Sequence, residues 1–256
     1  MASLLFALRY FTNLPLPKES SWNEKNAAAS LAWLPMTGIA LGACTVALEL
    51  FFRNTGFPRY PSLRALLLSA LELWVGGAMF FAGFGKTCDG LFLRLGTVRS
   101  FEIMEDGRIG ANGALAFLFA ALAKVFLLAE LSFHADFLYV LLFSPCWARW
   151  AVSYTACGYQ PAKTEGMAFF FKIDQKPAYV VLSSGFVLCF LLLMPRYFYV
   201  AALASFLVLL FCCSLVQSRL GGQTEETWGL SHTAAELSFL LSCAASAAFF
   251  QHGLRL

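Results

Sequence analysis

Long apolar runs separated by short polar stretches dominate the chain. They fall near residues 28–52, 63–84, 111–133, 137–157, 179–194, 197–216 and 232–250. Several reach or approach the roughly 20 residues that a bilayer-spanning helix requires. The pattern predicts an all-α, polytopic transmembrane helical bundle of about seven spans, with residues 1–256 forming a single integral-membrane domain. The second run carries Gly76, Gly77, Gly83 and Gly85, and a glycine-rich end of this kind permits close packing or an unwound segment. Residues 1–27 read as an N-terminal interfacial segment: a short apolar stretch holding Arg9, stopped by Pro15 and Pro17, without a cleavable signal pattern.

Composition sharpens this picture. Hydrophobic residues make up 59% of the chain and charged residues 13%. An ordinary soluble domain carries about 25% charged residues, so a soluble fold is excluded. A net charge of +3 is too small to argue for nucleic acid, and the basic residues matter by position instead. Eleven Lys and Arg lie in the loops on one face, shared with the N-terminus, against five on the other. The positive-inside rule then puts that face in the cytoplasm of a cell inner membrane. The eight cysteines contain no C-x-x-C pair and read as small core hydrophobes.

Charge concentrates in residues 85–110, a predicted cytoplasmic loop holding Lys86, Asp89, Arg94, Arg99, Glu102, Glu105, Asp106 and Arg108. If residues 100–106 are helical, Glu102 and Asp106 lie one turn apart on a single face. Carboxylates with arginines between them suit a magnesium ion that carries phosphate oxygens; a merely solvated loop is the open alternative. Arg149, inside the fourth run, is costly in lipid and must face the bundle or a cavity. Its expected role is an ion pair with Glu49, Glu72, Glu130 or Glu236, or contact with substrate.

The order of residues adds to this. Thr87-Cys88-Asp89-Gly90-Leu91 precedes Phe101-Glu102-Ile103-Met104-Glu105-Asp106-Gly107-Arg108-Ile109-Gly110-Ala111-Asn112-Gly113. The pair resembles the two signature stretches of the cobalamin synthase family, the adenosylcobinamide-GDP ribazoletransferases. Arg9-Tyr10-Phe11-Thr12-Asn13-Leu14-Pro15-Leu16-Pro17, Trp33-Leu34-Pro35-Met36-Thr37-Gly38 and Arg219-Leu220-Gly221-Gly222-Gln223-Thr224 are similar to the same family in the same order. Where the family carries a histidine and two further aspartates, this chain has Phe80, Ala82 and Lys86; Thr224-Glu225-Glu226 stands for its T-G-D, and Thr233 for one of two glutamates, while Glu236 remains.

The resemblance implies a membrane transferase that joins α-ribazole, or its phosphate, to adenosylcobinamide-GDP and releases GMP late in cobalamin biosynthesis. It implies Mg²⁺ as cofactor, with metal contact at Asp89 and Asp106 assisted by Glu102 or Glu105. Asp89, Asp106 and Arg108 are the expected catalytic residues, Arg108 as a phosphate clamp. Thr87, Gly90, Lys86, Arg149 and Glu226 are expected to bind substrate. The partners implied are the two small-molecule substrates and the lipid bilayer, with a second copy or other cobalamin-pathway membrane proteins as candidates, and no nucleic acid. The lost acidic positions keep a second reading open, a catalytically inactive homologue that binds cobinamide intermediates or scaffolds the pathway. A transporter is a third.

Overall fold

The computed structural model describes residues 2–14, 16, 24–56, 58–93 and 96–253. It is helical throughout: α1 (Ala2–Phe11), α2 (Glu24–Ser30), a 3₁₀ turn (Leu31–Trp33), α3 (Leu34–Thr55), α4 (Pro61–Gly76), α5 (Met79–Phe92), α6 (Thr97–Glu105), α7 (Ala111–Leu131), α8 (Phe137–Gly158), α9 (Met167–Ile173), α10 (Pro177–Leu191), α11 (Tyr197–Leu220) and α12 (Glu225–Gly253). Among the described residues there is no β-strand; one parallel bridge joins Pro161 to Gln223.

Helix α8 forms the axis, because almost every side chain along it is buried. Two features let α3 lie against it. A Cβ at Gly42 of α3 would come within 2.7 Å of the Leu142 carbonyl, so glycine is what allows the backbones to approach. Pro145, inside α8, cannot donate to the Leu141 carbonyl, and the Thr45 hydroxyl of α3 lies 3.5 Å from that oxygen. On the other flank, Trp147 donates to Ser205 at 2.9 Å, and Ser205 donates to the Ala235 carbonyl at 2.7 Å, tying α8 to α11 and α12.

Among the described residues, three stretches are long and apolar enough to cross a bilayer, Glu24–Thr55, Ala111–Leu131 and Tyr197–Leu220, with a fourth if the bent α4–α5 pair is one span. The predicted run at 63–84 is not one straight helix. It divides into α4 and α5, bent by 93°. Gly77 takes φ 75° at the break, a left-handed conformation that favours glycine. The exposed end of α4 is satisfied from outside: Asn13 donates its backbone N–H to Val75 O and its side-chain amide to Trp74 O, both at 2.8 Å. A broken helix at membrane depth requires such partners. Of the other predicted spans, α8 and α12 are 22 and 29 residues long and α10 is 15.

The segment expected as a charged loop, 85–110, is mostly helix. Thr87, Asp89 and Gly90 sit buried on the last turns of α5, and α6 follows after a short connection.

Candidate functional site

Asp89 decides how α5, α6 and α7 meet. Its carboxylate is 3% exposed and accepts the Gly110 N–H at 2.6 Å and the Gly113 N–H at 2.8 Å. Those amides belong to the first turn of α7, whose N-terminal donors have no partners within the helix and attract negative charge. At the residue after Asp89, the Gly90 carbonyl accepts a hydrogen bond from the Ser100 hydroxyl of α6 at 2.8 Å. A Cβ at Gly90 would meet the Met104 side chain at 2.6 Å, so that glycine lets α6 lie flat on α5.

Beside this junction a cavity of about 220 Å³ opens between α6, residues 161–168 and the start of α12. The Gly221–Glu226 turn builds one wall. Gly221 ends α11 at φ 78°, and Gln223 exchanges backbone hydrogen bonds with the neighbouring segment, N–H to Gln160 O at 2.9 Å and carbonyl to Ala162 N–H at 2.8 Å. A Cβ at Gly222 would sit 2.7 Å from Ala162 N, so only glycine fits there. Thr224 and Thr227 cap α12 reciprocally, with Thr224 N–H to Thr227 Oγ1 at 2.9 Å and Thr227 N–H to Thr224 Oγ1 at 3.4 Å. The Thr227 hydroxyl also donates to Gln223 Oε1 at 2.7 Å.

The lining is acidic. Glu105, Glu165, Glu225 and Glu226 face the cavity, with Lys163 the one basic lining residue. Lys163 pairs with Glu105 and places its ammonium 4.4 Å from the centre of the Phe101 ring. Burial raises the Glu226 carboxyl above its ordinary pKa, and the Glu225 charge adds to the effect.

The predicted residues divide sharply. Glu105 and Glu226 line the cavity. Lys86 is half-buried and near enough for its charge to favour ionised Glu226. Thr87 is buried with its hydroxyl unpartnered, and Gly90 serves packing. Asp106 and Arg108 are exposed and contact each other at 3.4 Å, while Glu102 pairs with Arg99 at 2.5 Å. Arg149 lies elsewhere, deep in the bundle. It donates to Phe11 O and Thr37 Oγ1 at 2.8 Å and to Gly76 O at 3.3 Å, so it anchors α1, α3 and the end of α4. The four carboxylates assigned to magnesium have separate partners: Asp89 accepts two backbone amides, Glu102 and Glu105 pair with cations, and Asp106 faces Arg108. Among the described residues no three His, Cys, Asp or Glu side chains could hold a metal ion. These carboxylates thus build no cage of three or more protein ligands, whereas magnesium on substrate phosphates needs only one or two.

A family profile described as cobalamin-5-phosphate synthase matches residues 3–244. The chain belongs to the cobalamin-5-phosphate synthase family. Its relatives include proteins that carry the name adenosylcobinamide-GDP ribazoletransferase. The protein of Escherichia coli O17:K52:H18 (strain UMN026 / ExPEC) is 31% identical over 255 residues, that of Shigella boydii serotype 4 (strain Sb227) 30% over 252 and that of Shigella flexneri 28% over 250. Each alignment covers 94% of this chain and 99% of the relative. No solved structure matches.

In this member of the cobalamin-5-phosphate synthase family, three of the stretches that carry the resemblance meet at one place. Residues 87–91 and 101–113 are joined through Asp89, and residues 223–226 close the cavity over α6. The sequence reading assigned no role to Gln223, Lys163, Glu165 or Glu225; the Gly-Gly turn ahead of Gln223 was the available signal. It also left unassembled a buried charge network, in which Lys124 of α7 pairs with Glu72 of α4 at 2.9 Å and Glu236 of α12 at 2.7 Å. Ionisable residues inside three apolar runs were the signal for that.

Proposed function

We propose that the protein is an adenosylcobinamide-GDP ribazoletransferase, joining α-ribazole or its phosphate to adenosylcobinamide-GDP with release of GMP in late cobalamin biosynthesis. The observation that carries this reading is the family match over residues 3–244, with two of the shared stretches, at 101–113 and 219–226, contributing to the lining of one cavity. In the reaction an acceptor hydroxyl attacks the phosphorus bonded to cobinamide, and the bond to the GMP oxygen breaks. Such a transfer depends on positioning and on neutralising charge at the phosphorus.

The chain's residues are suited to the positioning. The cavity offers carboxylate acceptors to hydroxyl groups. Arg108, its side chain 91% exposed, can turn its guanidinium towards a phosphate. Magnesium enters the proposal only as an ion carried on substrate phosphates, which needs one or two carboxylates from the protein and would lower the charge at phosphorus. The site is proposed to face the cytoplasm from the inner membrane, supported by the excess of Lys and Arg on that face. No observation favours the inactive-homologue reading over this one.

The test is turnover by purified, detergent-solubilised protein given adenosylcobinamide-GDP, α-ribazole and Mg²⁺. GMP and a joined cobamide are expected, and EDTA should abolish both. No product under conditions in which the Escherichia coli relative works would refute the assignment.

A further inference from the structure

The successive helices α10 and α11 barely touch each other. Helix α10 packs on α8 and α11 on α12, which leaves a cleft between them with α8 as its floor. The cleft encloses about 340 Å³ between Trp147 and Trp150 of α8, Val187 and Leu188 of α10, and Leu203 and Phe206 of α11. Both floor indoles are satisfied within the protein, Trp147 N–H by Ser205 at 2.9 Å and Trp150 N–H by Ser184 at 3.0 Å. They offer the cleft ring carbon and no unmet hydrogen bond. Leu188 and Leu203, on its two rims, are 59% and 61% exposed, so the cleft opens sideways from the bundle, where the bilayer lies.

One end of the cleft is polar. Arg196 begins α11 with helical backbone angles, φ −58° and ψ −33°. Tyr199, Leu203 and Phe206 follow it at intervals of three, four and three, so the four share one face of the helix. At 1.5 Å per residue that face is about 15 Å long, the depth of one leaflet in a hydrocarbon core of about 30 Å. Arg196 is exposed and holds no carboxylate among the described residues, because Asp136 at this end engages the Tyr197 hydroxyl instead. The Tyr199 hydroxyl donates to the Leu192 carbonyl at 3.3 Å, which puts a ring with a polar tip at headgroup level. We propose that the cleft is a specific site for an anionic glycerophospholipid of the surrounding bilayer. One acyl chain lies along Leu203 and Phe206 over the two indoles, and the phosphate rests on Arg196. The chain needs no hydrogen bond and gains dispersion contact with the rings, while a guanidinium at the interface attracts an anionic headgroup. A second copy of the protein suits the cleft less well, since helices associate in a bilayer through small residues and these rims carry leucines.

The experiment is native mass spectrometry of the full chain in detergent, titrated with phosphatidylglycerol or with phosphatidylcholine of the same acyl chains. Arg196→Gln and Leu203→Trp are measured beside the parent, and both positions are exposed, so the variants keep the fold. The parent is expected to hold one phosphatidylglycerol, roughly fivefold more tightly than phosphatidylcholine, which is the difference one basic contact makes. Arg196→Gln should bring the two lipids to equal affinity. Leu203→Trp narrows the cleft and should weaken both. Excess inorganic phosphate should leave the bound lipid in place. Equal binding of the two lipids by the parent, an unaltered preference in Arg196→Gln or unaltered binding in Leu203→Trp would overturn the site. So would displacement of the lipid by inorganic phosphate, or a dimer of the chain in place of bound lipid.

Discussion

Replacing Asp89 with Asn distinguishes a structural from a metal-binding carboxylate at the most motif-rich point of the chain. The native side chain accepts two backbone amides, Gly110 N–H at 2.6 Å and Gly113 N–H at 2.8 Å, from a position 3% exposed. Hydrogen bonds to a charged group contribute about 1.5–3 kcal/mol each, and negative charge at a partly buried helix N-terminus up to ~2 kcal/mol. Asparagine keeps one acceptor but turns an NH₂ group towards the other amide, so one bond and the charge are lost. The expected cost is about 2–4 kcal/mol, or a fall of roughly 5–15 °C in the apparent unfolding midpoint in detergent. Loosening the start of α7 should also speed tryptic cleavage at exposed Arg108. Size-exclusion thermostability and timed proteolysis read both effects. An Asp89→Asn protein that lost activity while keeping the parental midpoint and cleavage rate would refute the capping role and restore Asp89 as a group acting on substrate or metal.

Four further outcomes are expected. Lys124→Met leaves Glu72 and Glu236 buried without their cation and should cost about 3–5 kcal/mol, whereas Lys124→Met with Glu72→Gln and Glu236→Gln should recover most of it in a thermal-stability assay. Gly222→Ala places a methyl 2.7 Å from Ala162 N, so it should push the Gln223 turn off residues 160–162 and cut kcat/KM at least tenfold without losing the helical circular-dichroism signal. Because burial raises the Glu226 pKa, its carboxylate form is lost as pH falls through that raised value, and the KM for α-ribazole should climb there in the parent but not in Glu226→Gln. By the same sign, the stability linked to a raised carboxyl pKa is present at low pH and lost above it, so Glu226→Gln should be the more stable protein at neutral and alkaline pH.

The membrane class, the helical architecture and the family were all legible in the sequence. Apolar run length reports whether a segment belongs in a bilayer, and a bilayer admits helices here because every backbone group must be satisfied within its own segment. The signature stretches carry the family because they are short and ordered along the chain. The predicted spans near 111–133 and 197–216 correspond to α7 and α11 within a few residues for that local reason. The run at 63–84 hid a right-angle break: hydropathy does not register Gly77 at positive φ, nor Asn13 and Arg149 supplying partners to the freed carbonyls.

What each charged residue does was decided only by tertiary structure. Asp89 is separated from Gly113 by 24 positions, Glu105 from Lys163 by 58 and Lys124 from Glu236 by 112. A carboxylate's chemistry depends on which donors its neighbours present, and neighbours at such separations are chosen by helix packing that no local pattern encodes. Charge density marked residues 85–110 as chemically important. Packing turned one of its carboxylates into a helix cap, left others on the surface, and placed Glu105 with Gln223, Glu225 and Glu226 around a single cavity.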